Sequence, residues 1–231
     1  MFDGPWRSNV DRALVPVGRK LNRVGLTADV LTGVGLISAG VAAVAIGSGA
    51  TRLGFVLVLL AAVPDLLDGA LAKAAGTAGP RGAFFDSVAD RVTDALLFGG
   101  VAWYLQSKYG GHMALLGLAV LASSSIISYE RAKAELLGFE ARGGLMERAE
   151  RVILLCFGLL FSFLLLPVLW IMLALTLVTA VERFVKVWFQ ATPTRGVPER
   201  AAERRARRAS RRTPRASVRS WRRSDGRRRS S

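Results

Sequence analysis

Residues 65 to 94 read DLLDGALAKAAGTAGPRGAFFDSVADRVTD and set Asp65, Asp68, Asp86, Asp90 and Asp94 between two apolar stretches. Asp65 and Asp68 are three apart and Asp86 and Asp90 four apart, so each pair shares one face of its own helix. A short loop containing Gly and Pro joins them, which predicts an antiparallel hairpin with the pairs opposed. Four clustered carboxylates must be protonated, salt-bridged or neutralised by metal. Two divalent cations carry the matching charge, and an all-oxygen donor set without nearby His or Cys suits Mg²⁺, or Mn²⁺, over Zn²⁺. Gly82, Asp86, Asp90 and Asp94 fall on one stripe, where a glycine leaves room for a bulky substrate. Otherwise the acids are helix-surface charges or partners for Arg81 and Arg91, although acids within apolar spans are functional sites by default.

The apolar residues make up 52% of 231, and the mean hydropathy is +0.35. This is one domain's worth of chain dominated by membrane spans. The formal charge of +15 is uneven: residues 195–231 hold fifteen Arg against Glu199, Glu203 and Asp225. That low-complexity tail, residues 193–231, is expected to be disordered and to bind anionic membrane lipids. Trp221 alone gives no aromatic pattern for stacking on bases, so no nucleic-acid partner is expected. The single cysteine, Cys156, excludes an intramolecular disulfide and reads as a small buried hydrophobe. His112 has no metal-ligand companion and reads as a loop residue. The first apolar stretch follows a charged segment without a small-residue cleavage pattern, so no cleavable signal peptide is expected.

Within the N-terminal segment, residues 1–26, the stretch 8–24 interleaves Arg12, Arg19, Lys20 and Arg23 with Val10, Leu14, Val17, Leu21 and Val24. It predicts a basic amphipathic helix lying on a membrane surface. Residues 27–192 predict an all-α integral membrane domain of six transmembrane helices. The first follows Leu26; the others run over about 53–72, 84–105 and 113–130, with the last two sharing 152–189 and dividing at Pro167. Gly33, Gly35 and Gly40 suggest close packing of the first helix. Basic residues are many before span one, single at Arg52 and Lys108, and abundant again at Arg131, Lys133, Arg142, Arg148 and Arg151. This alternation puts both termini and the acidic hairpin on the cytoplasmic side of the cell's inner membrane.

The spacing D-x-x-D-G-x-x-A-K followed by G-x-x-x-D-x-x-x-D resembles the signature of the CDP-alcohol phosphotransferases, membrane enzymes of phospholipid synthesis. Asp65, Asp68, Gly69, Ala72, Gly82, Asp86 and Asp90 match, while Lys73 stands where the family has Arg. Lys keeps the charge but loses the planar fork. The start of the first span resembles the family's P-N/D-x-x-T nucleotide motif, with Ala28 in place of Pro and with Asp29 and Thr32 retained. Asp29 reads equally well as a helix cap.

The resemblance implies two metals on Asp65, Asp68, Asp86 and Asp90, with Asp90 as general base. It implies a CDP-diacylglycerol site involving Ala28, Asp29, Val30, Leu31, Thr32, Gly69, Ala72, Lys73, Gly79 and Gly82, and a homodimer. The run from 123 to 151 is similar to the actinobacterial phosphatidylinositol phosphate synthases, a branch of the family. That likeness implies an inositol phosphate pocket formed by Ser128, Arg131, Lys133, Arg148, Arg151 and Arg183, in which several fixed cations hold a dianion. The same cations read alternatively as membrane anchors. Two other activities fit parts of the pattern: phosphatidylglycerophosphate synthesis from glycerol 3-phosphate and, more remotely, small-cation transport.

Overall fold

In the computed structural model, the described residues are 27–75, 79–141 and 143–192, without the side chains of residues 28 and 65–75. The predicted surface helix at 8–24 and the basic tail lie outside them. The chain divides into Met1–Ala191 and Thr192–Ser231. The first unit contains six helices among the described residues: α1 Ala28–Gly47, α2 Thr51–Ala75, α3 Pro80–Tyr109, α4 Ala114–Leu136, α5 Arg148–Leu160 and α6 Leu165–Ala191.

Long apolar sequence and sparse breakers account for these elements. Thr27 caps α1, its Oγ1 accepting from the Val30 amide at 3.3 Å. Asp29 is already inside the helix, so its reading as the cap is corrected. Its carboxylate lies 3.8 Å from Arg81 Nη2, an exposed pairing of α1 with the start of α3. Gly79 is the N-cap of α3 and Pro80 its first residue, where a missing N–H removes no helical hydrogen bond. The same reasoning corrects the division of the last apolar stretch: the chain breaks between Leu160 and Leu165, and Pro167 lies in the first turn of α6. Pro64, in contrast, sits inside α2 and removes one ladder donor immediately before Asp65.

Helix α1 packs against both α2 and α3, α4 against α3 and α6, and α5 against α2 and α6. Direct backbone packing between α2 and α3 is not extensive among the described residues. Among the described residues, α1 packs along both arms of the expected hairpin. Close approach depends on particular glycines: a methyl group at Gly100 would stand 2.5 Å from the Ala43 carbonyl oxygen, and one at Gly117 would stand 3.0 Å from the Ala102 amide. Gly35 meets Ala61 and Pro64, as expected of a packing glycine, whereas Gly33 and Gly40 face open space.

Ala42, Ile46, Val58, Val101, Leu105, Val120, Leu159, Leu169 and Met172 form much of the core. Buried Ser123 and Thr176 join α4 to α6 at 3.0 Å. Ile37, Val44, Trp103, Leu115, Phe163, Trp170 and Trp188 are exposed, an apolar exterior suited to lipid. Among the described residues, two segments, Asp29–Gly47 and Leu165–Ala191, are long and apolar enough to cross a bilayer. The 13 residues of α5 reach roughly 20 Å, short of a hydrocarbon core about 30 Å thick.

Candidate active site

The acidic stripe on α3 descends from an open end into the protein. A methyl group added at Gly82 would meet nothing within 4 Å, Asp86 and Asp90 are half-buried, and Asp94 is 5% exposed. This gradient follows from the i, i+4 spacing on a helix whose far half is packed in the core. A cleft lined by Thr32 and Gly35 of α1, Pro64 of α2, Ala89 and Asp90 of α3 and Arg148 of α5 opens beside the stripe. Pro64, which lines this cleft, immediately precedes Asp65 in the chain.

Among the described residues, no three carboxylate, histidine or cysteine side chains converge. Two of the four expected ligands, Asp65 and Asp68, have side chains outside the described set, as do Ala28, Gly69, Ala72 and Lys73. The residues that are described fit a hard divalent cation: Asp86 and Asp90 share a face, and the cleft lining contains no His or Cys. Thr32 reaches that cleft, Val30 is 50% exposed on α1, and Leu31 is partly buried.

The expected acceptor cations mostly gather next to this stripe. Arg148 Nη1 lies 2.7 Å from Asp90 Oδ1, and Arg151 Nη2 lies 3.0 Å from Asp94 Oδ2. Arg91 Nη1, at 3.4 Å, also contacts Asp90, whereas Arg81 reaches Asp29. Glu147 Oε1 lies between Arg131 Nη1 at 3.8 Å and Arg183 Nη2 at 3.6 Å. Arg183 is 4% exposed and donates to the carbonyls of Ile127 at 2.8 Å and Gly143 at 2.9 Å. Ser128 donates to the Ser124 carbonyl, and Lys133 is exposed on α4.

The segment between α4 and α5 is held over these cations from α6. Gln190 accepts from the Glu140 amide at 2.9 Å and donates to its carbonyl at 2.8 Å. Gly143 and Gly144 have φ of 91° and 138°, in the left-handed region that favours glycine. The acidic neighbours of Arg148, Arg151 and Arg183 are expected from sequence to orient those arginines, and Glu147 lies 3.6 Å from Arg183. Sequence reasoning assigns no role to Asp94 or Gln190. Asp94 has a signal, being one more i+4 step after Asp90; Gln190 has none, because its partner is far along the chain.

Ser124 Oγ, Glu130 Oε2, Glu147 Oε1, Arg151 Nε and Arg183 Nε are buried without hydrogen-bond partners among the described residues. Buried polar atoms are ordinarily satisfied. They gather around one group of guanidinium ions and carboxylates and mark a polar interior.

Carboxylates beside a cleft, a neighbouring group of buried arginines and an apolar exterior are the features of a membrane protein with a charged site. The CDP-alcohol phosphatidyltransferase family matches residues 25–186, and the chain belongs to it. It is thus a transferase of phospholipid synthesis, and its relatives give a finer likeness. The phosphatidylinositol phosphate synthase of Mycobacteroides abscessus is 35% identical over 73% of this chain and 80% of that protein. The archaetidylinositol phosphate synthase of Methanothermobacter thermautotrophicus is 34% identical over 79% of this chain and 92% of that protein. The crystal structure of Mycobacterium tuberculosis phosphatidylinositol phosphate synthase with CDP-DAG bound matches with a TM-score of 0.72 at 31% identity, over 79% of this chain and 96% of that one. The same enzyme in complex with manganese and citrate matches with a TM-score of 0.69 at 31% identity, over 78% of this chain and 90% of that one.

Proposed function

We propose that this enzyme transfers the phosphatidyl group of CDP-diacylglycerol to a hydroxyl of 1D-myo-inositol 3-phosphate, releasing CMP and forming phosphatidylinositol phosphate. The observation that carries this reading is the direct junction of the acidic stripe and the cationic interior, made by Arg148 at 2.7 Å from Asp90. A phosphorylated acceptor held by the arginines has its hydroxyl beside the carboxylate that would take its proton. The relatives support the acceptor: bacterial and archaeal proteins with different lipid names share inositol phosphate in theirs.

In this mechanism Thr32, Gly82 and the α1 start hold the nucleotide end of the donor, and Arg148, Arg151, Arg131 and Arg183 hold the acceptor phosphate. Asp90 removes the acceptor proton as the new oxygen–phosphorus bond forms. The bond from that phosphorus to the CMP oxygen breaks, and CMP carries away the electron pair. Two Mg²⁺ or Mn²⁺ ions, held by Asp65, Asp68, Asp86 and Asp90, would supply neutralisation of the diphosphate and of the leaving-group charge. Lys73 would add a cation toward the donor phosphates. A helical bundle set in the inner membrane, with both termini cytoplasmic, would give the cleft access to cytoplasmic nucleotide, and the enzyme would act as a homodimer.

The purified chain with labelled CDP-diacylglycerol and Mg²⁺ or Mn²⁺ tests the reading when offered inositol phosphate, glycerol 3-phosphate or inositol. CMP release with inositol phosphate, and formation of the corresponding lipid, are expected. Release with glycerol 3-phosphate alone replaces the acceptor.

A further inference from the structure

Asp94 lies outside the paired acids, yet it is the most deeply placed carboxylate of the stripe. It faces two guanidinium groups on α5: Arg151 Nη2 at 3.0 Å and Arg148 Nε at 3.9 Å. Arg148 in turn reaches Asp90 at 2.7 Å. Residues 90 and 94 are one turn apart on α3, and 148 and 151 are one turn apart on α5. The four side chains therefore form a ladder in which the lower rung, Arg151–Asp94, supports the upper rung, Arg148–Asp90.

Backbone packing does not make this connection. Helix α5 rests on α2 and α6, and its direct packing against α3 is not extensive among the described residues. The ion pairs set how the start of α5 stands against the acidic stripe. Arg151 is 3% exposed, and its remaining terminal nitrogen donates to the Met146 carbonyl at 3.3 Å. With both ends of the fork engaged, the plane of the guanidinium is fixed. Its Nε is buried without a partner among the described residues.

A buried ion pair is weak evidence for stability, since well-packed apolar residues often serve as well. Its retention here is accounted for by geometry. We propose that Asp94 is a positioning residue that orients Arg151 and Arg148 toward the acceptor phosphate and thereby sets the acceptor against Asp90. This rests on the reading of those arginines as the acceptor site.

The test is steady-state kinetics on the full chain bearing Asp94→Asn, which keeps side-chain size and removes charge. The KM for inositol phosphate should rise about tenfold or more, as for a lost charged hydrogen bond, while the KM for CDP-diacylglycerol stays within about twofold. If Asp94 acts through Arg151, adding Asp94→Asn to Arg151→Gln should raise the acceptor KM little beyond the value for Arg151→Gln alone. Parallel rises in both KM values, no change in either, or additive effects in the double variant overturn the proposal. Should Asp94→Asn fail to fold, Asp94→Glu retains the charge but displaces it by a methylene, and must still raise the acceptor KM selectively; a folded Asp94→Glu with unchanged acceptor KM overturns it equally. A wild-type enzyme that uses no phosphorylated acceptor would overturn the functional reading itself, a result distinct from active enzyme with an indifferent Asp94.

Discussion

Arg148 Nη1 sits 2.7 Å from Asp90 Oδ1, linking the first residue of α5 to the last expected metal ligand on α3. The two residues are far apart in the chain, but both line the cleft that also contains Thr32 and Pro64. One guanidinium thus touches the carboxylate proposed as base and stands at the edge of the cationic interior. In the proposed reaction, a phosphate bound there would be held within reach of Asp90, which would shorten the search of an otherwise bimolecular step.

Replacing Arg148 by Ala should raise the KM for inositol phosphate roughly ten- to a hundredfold, the equivalent of a charged hydrogen bond worth about 1.5 to 3 kcal/mol. The KM for CDP-diacylglycerol should change far less. Arg148→Lys should recover only part of the loss, because a point charge cannot reproduce the fork that reaches both Asp90 and a ligand. Initial rates with each substrate varied in turn measure this. An equal effect on both substrates would reduce Arg148 to a structural tie.

The acidic pairs make a separate prediction. Asp86→Asn and Asp65→Asn should each abolish CMP release while leaving a folded, membrane-inserted protein, as judged by size-exclusion chromatography in detergent. Chelation should also abolish activity, and Mg²⁺ or Mn²⁺ should restore it. Full activity in either variant would sink the assignment of two metals to the four aspartates.

Much of this site can be read in sequence because helical spacing is local. The i+4 interval fixes Gly82, Asp86 and Asp90 on one stripe of α3, and the structure has them there along a helix that runs on through Asp94. Long apolar runs likewise suffice to indicate six helices. Relations across the bundle are another matter. Helix α1 is apolar nearly all round, so composition does not reveal that Gly35 meets α2 while Gly33 and Gly40 meet nothing. Pro167 reads in sequence as a divider of two helices, yet a proline in the first turn interrupts no hydrogen bond and marks a beginning as readily as an end. The pairing of Asp94 with Arg151 spans 57 residues and leaves no local trace.

Lys73 is the one departure from the family's signature. If its ammonium contacts the phosphates of CDP-diacylglycerol, Lys73→Ala should raise the donor KM and Lys73→Arg should be tolerated, since both cations bind phosphate. Titration of CDP-diacylglycerol at saturating acceptor decides this. An unchanged donor KM in the alanine variant would make Lys73 a membrane anchor.

Three glycines on α3 separate packing from substrate space. A methyl group at Gly100 would press on the Ala43 backbone at 2.5 to 3.0 Å, so Gly100→Ala should cost about 1 to 3 kcal/mol through overpacking and lower the unfolding temperature. Neighbouring Gly99 has nothing within 4 Å, and Gly99→Ala should leave that temperature unchanged or slightly raised. Gly82 also has nothing within 4 Å, so Gly82→Ala should be as stable as the wild type. Its position on the acidic stripe, one turn before Asp86, nevertheless predicts a raised KM for CDP-diacylglycerol, because the added methyl occupies space assigned to the donor. Thermal unfolding in detergent and donor titration, run on the same three preparations, separate the two effects. A Gly82→Ala enzyme with both wild-type stability and wild-type donor KM would remove Gly82 from the donor site and leave the open end of the stripe to solvent or lipid.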